Sequence, residues 1–131
     1  MTMRLVLLES PYHGEPGSGF EDLESNVAYA RAAMLDCLMR DEAPLASHLL
    51  YTQPGVLNDA DPEQRAIGIL AGLAWGSVAN ITAVYMDRGI SPGMKQGIAR
   101  AAAEGRRVIY RSLPDWRNVS GGWSGESTPL R

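Results

Sequence analysis

Groups able to do chemistry gather at three places in this 131-residue chain, each at the end of an apolar run. Glu9, Ser10, Tyr12 and His13 follow the first run. Ser47, His48 and Tyr51 lie on or just after the second, and Asp87, Arg88 and Ser91 follow the third. Glu9 closes a stretch that reads as buried. A carboxylate there needs a partner or a raised pKa, so it is a candidate for acid–base or nucleophilic work, with Asp87 as the second candidate. His48, inside an apolar stretch, suits a hydrogen-bonded structural role or catalysis. Tyr12 and Tyr51 suit packing or stacking on a flat ring. The start of a helix at Ser91-Pro92-Gly93 offers free backbone N–H groups to a phosphate or carboxylate, and Gly93 leaves room for close approach. Ser91 is equally a plain cap, and Asp59 and Asp61 read as loop and cap residues.

The elements that must position these groups are legible from periodicity. Arg4–Glu9 is a short, nearly continuous apolar run, as expected of a strand covered on both faces. Leu23, Val27, Ala30, Met34 and Leu38 recur at helical spacing and predict the inner face of a helix ending before Pro44. Leu45–Tyr51 reads as a second strand. Asp61-Pro62-Glu63-Gln64 is a helix start with a cap, a proline in the first turn and a residue to close a capping box. Ala66, Ile69, Leu70, Leu73 and Ala74 supply its expected buried face. Ile81–Met86 is a third strand, a helix from Ser91 runs to about Glu104 with Gly105 as C-cap, and Val108–Tyr110 is a fourth strand.

This β-α-β-α-β-α-β order predicts an α/β fold: a doubly wound, mostly parallel sheet of four strands, Rossmann-like or flavodoxin-like, with helices on both faces. Residues 1–113 form the domain, and 114–131 a Trp-, Gly- and Ser-containing tail without periodicity. The tail's Trp116 and Trp123 suit packing over the domain or over a neighbour. Connections at the amino ends of the strands are short (Asp41–Pro44, Ala79–Asn80, Gly105–Arg106). Those at the carboxyl ends are long (Ser10–Phe20, Thr52–Ala60, Asp87–Ser91). Long loops in compact domains carry function, and open α/β sheets bind ligands at the carboxyl edge.

Composition narrows the partners. A formal net charge of −3 leaves no basic footprint, which disfavours nucleic acid. The single cysteine, Cys37, reads as a small buried hydrophobe. No apolar run is long enough to span a bilayer and nothing resembles a secretory signal, so the expected location is cytoplasmic. Scattered histidines and one cysteine predict no metal site. The absence of a phosphate-binding P-loop, a dinucleotide fingerprint and a nucleophile elbow removes the commonest nucleotide hydrolysis, redox and serine-hydrolase readings, and no cofactor is expected.

Several segments together resemble small Rossmann-like proteins related to the nucleoside 2-deoxyribosyltransferases, including short phage and actinobacterial members. They are Ser10-Pro11-Tyr12, Asn26–Arg31, Ala46–Thr52 and the stretch Asp87–Met94. The resemblance implies a ligand-binding edge built from Ser10, Pro11, Tyr12, Asn26, His48, Tyr51, Arg88, Ser91, Gly93 and Met94, and a homo-oligomer. It also implies a glutamate nucleophile on a helix, in a context such as Glu-x-Gly-x-Ala. Here Gly68–Ala74 has Leu70 at the expected position and Gly93–Gly97 has no carboxylate, leaving Asp87, Glu9 or Glu63 to substitute. Three functions follow as expectations. The first is binding of a nucleoside- or nucleotide-derived molecule, with sequestration of a nucleotide signal as one use. The second is cleavage or transfer of an N-glycosidic bond, and the third an interaction module docking through the tail.

Overall fold

The computed structural model describes residues 2–13 and 20–118. Four strands, β1 (Arg4–Glu9), β2 (Glu42–Leu45), β3 (Ile81–Tyr85) and β4 (Arg107–Arg111), form one parallel sheet in the order β2-β1-β3-β4. The helices are α1 (Phe20–Met39), the one-turn α2 (Ser47–Leu50), α3 (Pro62–Ala74) and α4 (Pro92–Ala103). The chain moves outward from β1 to β2, then crosses back to β3 and on to β4. Right-handed crossovers therefore set α1 on one face and α3 with α4 on the other. Side-chain alternation agrees. Val6, Leu8, Ile81, Ala83 and Tyr85 join Tyr29, Ala33 and Cys37 in the core beneath α1. The next positions along, Glu9 and Thr82, instead meet α4 and Arg106. The doubly wound α/β fold expected from the sequence is the one observed.

Several local expectations change. The second strand is not Leu45–Tyr51 but Glu42–Leu45, and Ser47–Leu50 is helical. Pro44, read as a breaker, sits within β2 opposite Val6. An edge strand tolerates a proline that cannot donate to a second neighbour. Glu42, polar at the strand's start, is buried because Arg111 meets it with two hydrogen bonds of 2.7 and 2.8 Å. The connection from α1 shrinks to Arg40-Asp41, with Asp41 left-handed at φ 60°.

The inner face of α1 is also rotated by about one residue. Asn26, Tyr29, Ala30, Ala33 and Cys37 are buried, whereas Leu23, Val27, Met34 and Leu38 flank them. Alanines let the helix lie close to the sheet, and Tyr29 carries a polar end to the site. On α3, Leu70 is 66% exposed and Ile67 55%, while Gly72 is buried against Ser47. Contact with α2 through a glycine turns the larger residues outward. Finally, Asp61 is the N-cap of α3 but makes no side-chain cap bond; its carboxylate accepts from the Gln64 side chain at 3.0 Å.

Ser91 caps α4 by accepting from the Met94 N–H, and Gly105 follows the helix at φ 69°. Trp116 lies in a turn at Trp116–Asn118 and packs edge-on against Tyr29, with ring centres 5.3 Å apart, so it covers its own domain. Trp123 lies outside the described residues. Among those described, no helix is long and apolar enough to cross a membrane.

Candidate functional site

Connections from β1 and β3 leave in opposite directions, so the switch point lies between these neighbours, at their carboxyl ends. A cleft of about 850 Å³ opens there. Its lining includes Glu9 to His13, His48 and Tyr51 around α2, and Asp87 to Met94 before and within α4. The three groups read from the sequence are thus brought together. Pro11, Asn26, Ser91 and Gly93 line it as well.

The floor carries uncharged polar groups. Ser10, 4% exposed, shares a hydrogen bond of 2.7 Å with His48 Nε2. Burial pushes the His48 imidazole down to about 4, so it is neutral at physiological pH. This pairing exists because residues 47–50 form a helical turn, which aims His48 across at β1. Beside it, burial raises the Glu9 carboxyl to about 8, against the opposing pull of the Arg106 guanidinium. Gly97 of α4 packs on that carboxyl, and a methyl group in its place would overlap it. The sequence neighbours of Gly97 give no hint that it faces Glu9.

Charged groups occupy the rim, mostly in pairs. Arg88 donates to Asn26 Oδ1 at 2.6 Å and to Asp22 at 3.0 Å, and Asn26 donates to the Tyr12 carbonyl at 3.0 Å. The Arg88 guanidinium also lies 5.3 Å from the Trp116 ring centre. His13 meets Asp59 at 2.6 Å, with Arg65 at 3.8 Å from the same oxygen. Asp22, Asp59 and Arg65 are rim residues whose part in the site emerges only from the fold. Tyr12 stands edge-on to His48, and the Tyr51 hydroxyl accepts from the Trp75 indole N–H at 2.8 Å.

Asp87 is differently placed from Glu9. Its Oδ2 accepts from the Tyr29 hydroxyl and the Leu113 N–H, and its Oδ1 from the Ser112 hydroxyl, all at 2.6 Å. Burial works against ionisation there, but these donors outweigh it and hold the carboxyl below its ordinary range. Both oxygens are committed to tying the β3–α4 loop to α1 and to the end of β4. Glu63 is exposed, and Leu70, the position that the resemblance marks for a glutamate, faces away from the sheet. Met94 lines the cleft while Lys95 is exposed. Among the described residues, no group of three or more His, Cys, Asp or Glu could hold a metal ion.

Sheet order and cleft define a small doubly wound α/β domain with a ligand-sized site at its switch point. Residues 4–111 match the family described as "Domain of unknown function (DUF7768)", and the chain belongs to that family. No curated protein matches the chain. Among solved structures, it is similar to a 2-deoxyribosyltransferase from the psychrotolerant bacterium Bacillus psychrosaccharolyticus. The TM-score is 0.55 and the identity 16%, over 97% of each chain. At that identity the likeness establishes the shared fold, as the resemblance led us to expect.

Proposed function

We propose that the cleft binds a nucleoside- or nucleotide-derived small molecule. The observation that carries this reading is the division of the cleft at the switch point: an uncharged polar floor beneath a charged rim, in about 850 Å³. That volume lies within the range of roughly 300–1,000 Å³ typical of small-molecule sites. A heterocyclic base suits the floor, where Ser10, His48 and Glu9 offer hydrogen bonds and Tyr12 an aromatic wall. Sugar hydroxyls or phosphate suit the rim, near Arg88 and the start of α4. The fold shared with a 2-deoxyribosyltransferase adds support. Holding a nucleotide signal without altering it is one use of such a site. The test is thermal unfolding against nucleosides, nucleotides and cyclic nucleotides, each mixture then separated by chromatography. A ligand at about a hundred times its Kd adds roughly 2.7 kcal/mol. Stabilisation with intact ligand supports the proposal, and a panel without effect rejects it.

A second reading, cleavage or transfer of an N-glycosidic bond, is favoured by the half-buried Glu9 carboxyl at the floor of the cleft. At pH 7 that group is mainly protonated, which suits an acid delivering a proton to a departing base better than a nucleophile. Release of free base, abolished by Glu9→Gln, is its signature. A homo-oligomer is proposed from the exposed apolar residues Ile67, Leu70, Trp75 and Val78 along α3 and the turn after it. Light scattering that finds only monomer, at every concentration, rejects it.

A further inference from the structure

Glu9 is a half-buried carboxyl at the floor of the cleft that no protein donor among the described residues satisfies. Among the described residues no hydrogen bond or ion pair reaches it, and only the field of Arg106 acts on it. A polar group drawn partly out of water without a protein partner is costly, and α4 covers this one from above, its Gly97 lying directly against it. Such a group is satisfied when a ligand brings the missing partner. An uncharged carboxyl has one O–H donor and a carbonyl acceptor side by side. Nucleobases carry the matching pattern along one ring edge: an acceptor nitrogen beside an amino group in the amino bases, a carbonyl beside a ring N–H in the oxo bases.

Building on the proposed nucleoside site, we propose that Glu9 reads the base, its O–H donating one hydrogen bond to the ring edge and its C=O accepting the other. The ligand class is therefore a neutral nucleobase presenting adjacent donor and acceptor. The surroundings keep the acid uncharged. Gly97 faces it from α4, whose Met94 lines the cleft and whose Lys95 and Arg100 are exposed. Neutral His48 lies across the floor on α2. Asp87 and Arg88 of the next loop are committed to Tyr29, Ser112, Asn26 and Asp22, and Arg65 of α3 lies by Asp59. The buried Arg106 is held by Glu104, Gly76 and Thr82 rather than by Glu9.

The test is calorimetric titration of adenosine, cytidine, inosine and uridine into the full chain and into Glu9→Gln, from pH 6.5 to 9. Glutamine keeps a donor and an acceptor but cannot ionise. The quantity read is the ratio of wild-type to variant Kd, which cancels any titration of the nucleoside itself. The ratio is expected near one at pH 6.5 and about tenfold at pH 9, since a carboxyl of pKa about 8 is then about nine-tenths ionised. Glu9→Leu is expected to bind at least tenfold more weakly than Glu9→Gln at every pH. A bound nucleoside with a flat ratio, or Glu9→Leu binding as well as Glu9→Gln, overturns the role of Glu9 and leaves the nucleoside site standing. Binding of none of the four by any variant overturns this role, and if the nucleotide panel also fails the site itself falls with it.

Discussion

Replacing Glu9 by glutamine should stabilise the folded protein, and increasingly so as the pH rises. In the unfolded chain the carboxyl titrates at its ordinary value of 4.5; in the folded protein it titrates at about 8. Between those values the folded state holds a proton that the unfolded state has released. Folding stability therefore falls with rising pH across this window, is unpenalised below 4.5 and levels off above 8. Each unit of pH within the window costs about 1.4 kcal/mol, so at pH 7 the native glutamate costs about 3 kcal/mol relative to a neutral isostere. For a domain of this size that corresponds to a difference in Tm on the order of 10 °C, an upper bound because water entering the cleft softens the penalty.

The assay is differential scanning calorimetry of wild type and Glu9→Gln at pH 5, 6, 7 and 8 without ligand. The variant should exceed wild type by about 1 kcal/mol, a few degrees at most, at pH 5, and by more than the pH 7 gap at pH 8. A gap that is constant across the series, or a variant less stable than wild type at pH 8, refutes the placement of this carboxyl in a desolvating site. Substituting Asp87 is the contrast. Its pKa is held down by Tyr29, Ser112 and Leu113, so its stabilising effect is present at neutral pH and is lost as pH falls through the native pKa. Asp87→Asn should therefore destabilise at pH 7 and converge with wild type in acid.

Arg111→Met strands the buried Glu42 carboxylate without its bidentate partner and should cost about 3–5 kcal/mol in urea unfolding, much of it recovered by adding Glu42→Leu. Gly97→Ala should destabilise by about 1–3 kcal/mol because its methyl group meets the Glu9 carboxyl; in a Glu9→Ala background the same change should cost much less, a coupling that a double-mutant cycle measures. Ser91→Ala removes the cap of α4 and should cost about 1 kcal/mol.

The fold was legible because its signals are local and repeated. Continuous apolar strands, proline-opened helices and loops that are long at only one edge follow from nearest-neighbour chemistry, and they led to the right sheet and to the edge at which the cleft opens. What failed was decided by tertiary contact. Pro44 breaks a helix or a central strand but not an edge strand, and no local pattern says which strand is at the edge. Leu45–Tyr51 has too few apolar residues to separate strand from helix. It is the contact between Gly72 and Ser47 that settles the orientation of α3 and turns Leu70 outward. Within the site, Glu9 was legible as an oddity, a charge closing an apolar run. Its juxtaposition with Gly97 was not, since the two lie 88 positions apart in the sequence.

That juxtaposition also bears on how far the shared fold carries chemistry. A glutamate that traps an anomeric carbon must be ionised and free to advance on it. Leu70 offers no carboxylate and faces solvent, and both oxygens of Asp87 are occupied by protein donors. Glu9 is free of such donors, but with a pKa of about 8 roughly one molecule in ten carries its charge at pH 7. The same desolvation that makes Glu9 a poor nucleophile keeps it a neutral acid, which can donate a hydrogen bond that a carboxylate cannot. For the proposed nucleoside site this favours holding a base over displacing one, and because a single titration governs both roles, the ionised fraction that rising pH adds for attack is the protonated fraction it removes from recognition.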